Sequence, residues 1–387
     1  MSRFLEFHVI QNFAPSNLNR DDTGAPKDAL FGGHRRARVS SQCLKRTMRE
    51  TTRVEGLIPA AHRAVRTRKL QAMLLARLAD RDAAEAAARI EAALGAAGLL
   101  VKEDGLTEYL LFLGESEIDA LAQLVKEYWD VLPGPSETAD KAEKGGKKNK
   151  KEVKAAIPPE IVRKASQILE HGGKAVDIAL YGRMLADLPA VNQHAACQVA
   201  HAISTHRVER EFDYYTAVYD WGDAGDTGAG MIGQVEFNSA TFYRYAVIDL
   251  DKLLTNLQGD RELALAAVEA FTRAIALAIP SGKQNAFAAR NLPDFVGVCL
   301  RRGTPLSLAN AFERPVVPRY DRTLTEQSVE QLLACEARLG EAYGSPDDQW
   351  LALDLTGAWP ENNGTRVSQL GRLAEGARGL ADASLGD

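Results

Sequence analysis

Cysteine is scarce and scattered in this chain: Cys43, Cys197, Cys299 and Cys335 lie far apart, and no C-x-x-C pair occurs. That spacing argues against a disulfide framework or a zinc ribbon and fits a reducing compartment. Long apolar runs are missing as well, and none approaches membrane-spanning length. The opening Met-Ser-Arg-Phe-Leu-Glu lacks signal-peptide architecture, so a cytoplasmic location with no membrane partner is expected. There is no internal repeat. Ser281-Gly-Lys-Gln-Asn has a Gly-Lys pair without the upstream glycine of a phosphate-binding loop, which argues against nucleotide hydrolysis. The most informative absence is of negative charge: between Asp28 and Glu50 there is no acidic residue.

Six cations fall in that run: Arg35, Arg36, Arg38, Lys45, Arg46 and Arg49. The whole chain is acidic, with formal net charge -5, yet residues 1–60 hold ten Lys/Arg against six Asp/Glu, leaving the remainder at -9. Charge gathered locally in this way makes a polyanion-binding surface on a protein that is not basic overall. The run is also organised. Gly32-Gly33 supplies a turn, Arg36-Ala-Arg-Val39 alternates as a strand does, and Ser40-Ser41 is a good helix N-cap. In the helix that follows, Leu44 and Met48 share one face, and Lys45 and Arg49 share a neighbouring one. Like charges at i, i+4 destabilise an isolated helix. A helix N-terminus with free N–H groups and hydroxyls, followed by two basic turns, makes sense against phosphates.

At 387 residues and 45% hydrophobic, the chain can bury a large core in one elaborated domain or two. Phe4 to Ile10 reads as a half-buried strand with Leu5, Phe7 and Val9 inward and Glu6 and His8 outward, and Asn12 to Asp28 as an irregular loop. Residues 63–132 read as a helical insertion, with Leu70, Leu74, Leu78, Leu121, Leu124 and Tyr128 on its apolar stripe. Pro133 to Pro159 is a linker with seven lysines against two glutamates over 141–154, a composition that remains solvated until a polyanion arrives. Pro159 opens a short helix, and Ala175 to Gly182 alternates into a strand. Ala190 to His206 reads as a helix placing His194, Cys197 and His201 on one face. Without H-E-x-x-H or a carboxylate at ligand spacing, that face is expected to be packed or RNA-facing, not a metal site. Phe212 to Trp221 and Met231 to Phe237 form a hairpin around glycines 222, 225, 228 and 230, with the tip acids explained by turn chemistry. Phe242 to Asp249 and Phe295 to Leu300 are strands, Arg261 to Ile279 is a helix, and Leu324 to Tyr343 is a terminal helix. The class this implies is α+β, one sheet spread over distant segments with large insertions.

Asn17-Leu-Asn-Arg-Asp-Asp22, Lys27-Asp-Ala, Phe31-Gly-Gly33 and Arg38-Val-Ser-Ser-Gln42 with Leu44-Lys-Arg46 closely resemble the opening of the CasC family, the backbone subunits of type I-E CRISPR Cascade complexes in the Cas "seven" superfamily. The resemblance continues through Val176-Asp-Ile-Ala-Leu with Gly182-Arg-Met184, Ala200-His-Ala-Ile-Ser-Thr-His206, Glu236-Phe, Phe242-Tyr-Arg-Tyr-Ala246 and Pro305-Leu-Ser-Leu-Ala-Asn-Ala-Phe-Glu313. It covers most of residues 1–315 and fades in the insertion and the C-terminal part. It implies a modified RRM- or ferredoxin-like palm from 1–60 and 175–320, a thumb β-hairpin at about 212–240, and a helical fingers insertion over 61–174 carrying the Lys-rich linker 133–158. Residues 321–387 would be a C-terminal helical region.

The function implied is non-catalytic: subunits polymerise along CRISPR RNA and present it for pairing with target DNA, protein reading phosphate and base pairing reading sequence. The partners implied are CRISPR RNA, target DNA, other copies of the chain and other Cascade subunits, with no cofactor or metal. Family RNA-contact positions fall on Arg20, Lys27, Gln42, Lys45, Arg46 and Arg49 in the palm, on Met184, Tyr214, Tyr215 and Ile232 in or near the thumb, and on Arg319. The family has Trp-Phe at Tyr214-Tyr215 and a lysine at Val317. Arg35, Arg36, Arg38 and Ser40 in the basic run are further RNA-binding candidates, and Lys144, Lys147, Lys148, Lys150, Lys151 and Lys154 are candidates for DNA phosphates. Two rival readings are a metal-dependent ribonuclease using Asp21 and Asp22, and a free single-strand-binding protein.

Overall fold

The computed structural model describes residues 3–135, 157–171, 174–185, 188–217 and 231–386. The chain opens with β1 (Arg3–Ser16), β2 (Asp28–Phe31), β3 (His34–Val39) and the helix α1 (Ser41–Val54). There follow β4 (Ala64–Thr67), α2 (Leu70–Arg77), α3 (Ala83–Ala96), β5 (Leu111–Gly114) and α4 (Glu115–Glu127), then helices Pro159–His171 and Val176–Tyr181. The large sheet resumes with β6 (Cys197–Val199), β7 (Ala202–Ser204), β8 (Glu211–Ala217) and β9 (Met231–Asp249). After helices Leu250–Asn256, Arg261–Leu277 and Gln284–Phe287 come β10 (Phe295–Arg302), helix Leu324–Tyr343, β11 (Gln349–Asp354), β12 (Thr365–Val367) and helix Leu370–Gly386. Two compact units divide the chain, one of Met1–Leu57, Cys197–Asp251 and Leu265–Asp387, the other of Ile58–Ala196 and Lys252–Ala264.

The first unit is built on one sheet in the order β12-β11-β10-β1-β9-β7-β3-β2, with β6 and β8 also paired to β9. Every pairing is antiparallel except β11 with β12. β1 lies between β9 and β10, which pair its edges, and both of its faces are buried, so it is not half-buried as its alternation suggested. Leu5, Phe7 and Val9 pack on one side, where the Phe7 and Phe271 rings lie 4.9 Å apart. Glu6 and His8, on the other side, are equally buried. That face needs its charges paired, and they are. Glu6 accepts from Arg301 Nε at 2.7 Å and Tyr245 Oη at 3.1 Å, while Arg301 also reaches Asp348 at 2.7 Å. Burial alone would raise the Glu6 carboxyl, but His8 and Arg301 beside it bring it below the ordinary value. Removing Arg301 would strand that charge, a loss of about 3–5 kcal/mol.

The second unit holds α2, α3, α4 and helix Pro159–His171 around Leu70, Leu74, Leu78, Ile90, Leu121 and Leu124, the apolar stripe read from helical spacing. Asp82 caps α3 by accepting from the N–H of Ala84 (3.0 Å) and Glu85 (2.9 Å). The insertion is not wholly helical, since β4 and β5 pair antiparallel. Each is four residues long, too short to show a period.

Three expectations are corrected. Ala175 to Gly182 is not a strand but the helix Val176–Tyr181, ended by Gly182 at φ 78°. Val176, Ile178, Ala179 and Leu180 are all buried, and a short run buried all round shows neither period. Ala190 to His206 is not a helix. It contains the turn Pro189–Val191 and the short strands β6 and β7, so His194, Cys197 and His201 share no helical face. The segment after Tyr343 is not purely helical, because β11 and β12 extend the sheet beyond β10. Among the described residues, no helix is long and apolar enough to cross a membrane.

Candidate nucleic-acid interface

The acid-free run folds as its chemistry dictates. Gly32 and Gly33, at φ 59° and 79°, turn β2 into β3. Ser40 then caps α1, its hydroxyl accepting from the Cys43 N–H at 3.2 Å, while Leu44 and Met48 are buried beneath. The loop after β1 is braced against this cap. Asn19 Oδ1 accepts from the Ser40 N–H at 2.9 Å, and Asn17 donates to the carbonyls of Gly24 (3.0 Å) and Glu236 (2.9 Å).

Between loop and helix lies a cleft of about 600 Å³ whose lining includes Arg20, Ser40, Gln42 and Arg46, four of the expected RNA contacts. The acids Asp21, Asp22 and Glu50 line it too, with Ser281 and Gly282. A Cβ at Gly282 would sit 2.3 Å from the Leu18 carbonyl oxygen, so the Gly-Lys pair serves close backbone approach. Nothing in the sequence linked residues 281–282 to the basic run. Arg46 is exposed and pairs only with Glu50, one turn on, at 2.8 Å. Asp21 Oδ1 accepts from the Thr23 hydroxyl (2.7 Å), the Thr23 N–H (2.9 Å) and the Ala25 N–H (3.0 Å). These bonds, the Thr23 hydroxyl foremost, hold its carboxyl below the ordinary value.

His201 belongs to this surface for a reason the sequence concealed. It follows β6, exposed, and its Nδ1 lies 3.3 Å from the Ser41 N–H and 3.2 Å from Arg38 Nη1. Both neighbours are donors, which assigns Nδ1 as acceptor and leaves the proton on Nε2. Burial, and then the charges of Arg38 and Lys27, lower its pKa. Arg38 also donates from Nε to the Asp28 carbonyl at 3.1 Å. Lys27, Lys45 and Arg49 are half-buried in the same region, and Lys45 lies near enough to Cys197 to act on it.

Arg36 is a correction. It is buried and donates to the carbonyls of Ser204 (3.0 Å), Thr205 (2.9 Å), Phe312 (2.7 Å) and Glu313 (3.3 Å). Ala37 and Val39 on the other face of β3 are buried too, so β3 is covered on both sides here, and Arg36 ties it to the segment after β10 and cannot reach RNA. Arg35 points out but is bonded to Asp28, which also holds Arg210 at 2.9 Å.

The remaining candidates lie apart. Tyr214 and Tyr215 stand on β8, 66% and 40% exposed. Tyr215 lies across Gly233, whose added Cβ would come within 2.4 Å of its ring. Ile232 is paired with Thr216 across the hairpin. Met184, 84% exposed, belongs to the second unit, where it lines a 520 Å³ cleft with Arg66, Leu110 and His194. Arg319 is exposed. Lys144, Lys147, Lys148, Lys150, Lys151 and Lys154 lie outside the described residues. Among the described residues, no group of three or more His, Cys, Asp or Glu is placed to hold a metal ion.

A mostly antiparallel sheet bearing a capped basic helix and an exposed hairpin, with an inserted unit of helices, defines a ferredoxin-like palm of the Cas "seven" type. The chain belongs to the CT1975-like protein family, whose profile matches residues 5–375. A chain of a solved "CRISPR RNA-guided surveillance complex, pre-nicking" is 33% identical with a TM-score of 0.82, the match covering 98% of this chain and 100% of that one. A chain of a second "CRISPR RNA-guided surveillance complex" is 28% identical with a TM-score of 0.71, covering 97% and 99%. No curated protein matches the chain.

Proposed function

We propose that this chain is the guide-RNA-holding backbone subunit of a type I-E CRISPR surveillance complex. It polymerises along the guide with the other complex subunits and leaves the bases free to pair with target DNA. One observation carries the reading: Arg20, Ser40, Gln42 and Arg46, drawn from two separated stretches, line one cleft at the N-terminus of α1. Helix N–H groups, hydroxyls and guanidinium forks are the groups that hold phosphate without reading sequence. The exposed Tyr214 on β8 offers an aromatic face to a base. The role is non-catalytic. Asp21 is the loop's organiser, its Oδ1 taken up by three donors, which supports that role over a nuclease.

The test is Arg20→Gln with Arg46→Gln, purified with guide RNA. Each lost phosphate contact should make the log–log salt dependence of RNA binding shallower by about 0.7, and assembly on RNA should weaken while the monomer stays folded. An unchanged slope with full assembly would remove the cleft from the RNA path.

A further inference from the structure

The first unit carries a second concave polar surface that the reading above does not use. Residues Ala309–Phe312, a short 3-10 turn, face helix Leu324–Tyr343 across a cleft of about 490 Å³, whose polar lining is Asn310, Glu313, Arg314, Gln331, Cys335 and Arg338. It shares no lining residue with the cleft at α1.

Arg314 and Arg338 are both exposed, and among the described residues neither is paired with a carboxylate. Other arginines of the same unit are taken up by acids: Arg322 bonds Glu330, Arg301 holds Glu6 and Asp348, and Arg210 holds Asp28 and Glu236. The one bond Arg338 makes is to Cys335 Sγ at 3.9 Å, a weak acceptor. Burial holds that thiol above its ordinary pKa, so the sulfur brings no negative charge. One wall is firmly placed, because Arg36 grips the Phe312 and Glu313 carbonyls and Phe312 is fully buried.

The inventory selects the ligand. Two guanidinium forks against the single Glu313 carboxylate leave one net positive charge, and Asn310 and Gln331 add neutral amide donors. One carboxylate ligand would be filled by one fork. A phosphodiester spreads one charge over two non-bridging oxygens of a tetrahedral phosphorus, so two guanidinium groups can approach it from different sides, whereas a planar carboxylate turns both oxygens to one fork. The segment continues outward through exposed Arg319 and Tyr320, a cation and an aromatic face as single strands use them. We propose that the Arg314–Arg338 cleft is a second nucleic-acid contact, holding one backbone phosphodiester of a single strand. The choice of nucleic acid over another anion rests on the function proposed above.

The test uses the full chain assembled on guide RNA and the variant Arg314→Gln/Arg338→Gln. One arm measures retention of the guide, and the other measures binding of a complementary single-stranded DNA, each titrated with salt. Affinity in one arm should fall on the order of tenfold and its salt slope by about one, the arm affected naming the strand. Glu313→Gln should act oppositely and tighten the same arm, which a merely structural role would not produce. If both arms are unchanged the proposal is overturned, and weaker binding of a polyglutamate peptide alone would assign the cleft to a protein partner instead. Arg20→Gln/Arg46→Gln run in parallel separates the two claims: guide binding unaffected there would sink the function proposed above, whatever the second cleft does.

Discussion

Arg36 gives the sharpest division between folding and binding, because it lies in the basic run and yet faces inward. In Arg36→Met the side chain stays long and apolar, but the carbonyls of Ser204, Phe312 and Glu313 lose the guanidinium donor, while that of Thr205 keeps the Val316 N–H at 3.0 Å. A hydrogen bond from a charged donor contributes about 1.5–3 kcal/mol, and a carbonyl left buried and unbonded costs about 1–3 kcal/mol. Against this, the variant no longer buries a cation without a counter-charge, which offsets several kcal/mol. The difference is a net loss of about 3–5 kcal/mol. For a unit of this size each kcal/mol lowers Tm by roughly 2–4 °C, so the transition should fall by roughly 6–20 °C. Denaturation followed by tryptophan fluorescence reports the unit, since Trp350 and Trp359 lie in its core. RNA affinity of the folded fraction, measured well below Tm, should stay within about twofold, because the side chain reaches no solvent. The reasoning is refuted by unchanged stability, or by lost RNA binding in a protein as stable as the original.

Two further outcomes follow from the same unit. His206 Nε2 accepts from the Thr241 N–H at 3.2 Å and Nδ1 donates to the Arg207 carbonyl at 2.7 Å, so only the neutral ring fits. Burial, chiefly, lowers its pKa below the ordinary 6.5. The unfolded chain therefore binds the proton first, and stability should fall as pH drops through about 6.5 towards the folded value; His206→Gln should flatten that part of the stability–pH profile, and an unaltered profile would contradict the assignment. Gly32→Ala would place a Cβ 1.8 Å from the Glu313 carbonyl oxygen at φ 59°. It should destabilise the unit by at least about 2 kcal/mol, measured by urea midpoint, and an unchanged midpoint would show that the turn is not pinned there.

Much of this was legible because local chemistry and tertiary position agreed. The Gly32-Gly33 turn, the Ser40 cap and the Leu44 and Met48 face of α1 need only near neighbours in sequence, and each stands as read. The misreadings arise where distant strands decide. Glu6 and His8 look solvent-facing, but helix Leu324–Tyr343 and Trp350, far along the chain, cover that face of the sheet. The residues from Ala190 to His206 look helical because nothing local announces that β9 will recruit Cys197–Val199 and Ala202–Ser204. His201, taken for one face of a helix, instead braces Ser41 and Arg38 from a turn. Arg36 reads as a surface cation because it alternates with Ala37 and Val39 and shares a face with Arg38, and only the distant segment around Phe312 buries it. Residues 281–282 close the cleft from the far end of the chain, a relation that no spacing encodes.

β9 is one uninterrupted strand of 19 residues, paired with β8 at its beginning, with β7 and β6 farther along, and with β1 over Asn238–Asp249. At about 3.3 Å per residue it runs roughly 60 Å. Mechanically it is a cantilever, clamped between central strands at one end and loaded at the other. A load on the hairpin travels along β9 and meets the β1 ladder at Asn238–Ala240, where the register shifts between Phe13 and Ser16, so that irregularity is where it would bend. The link from hairpin to cleft is then short and local: Asn17, in the loop that walls the cleft, hangs on the Glu236 carbonyl just on the hairpin side of that hinge.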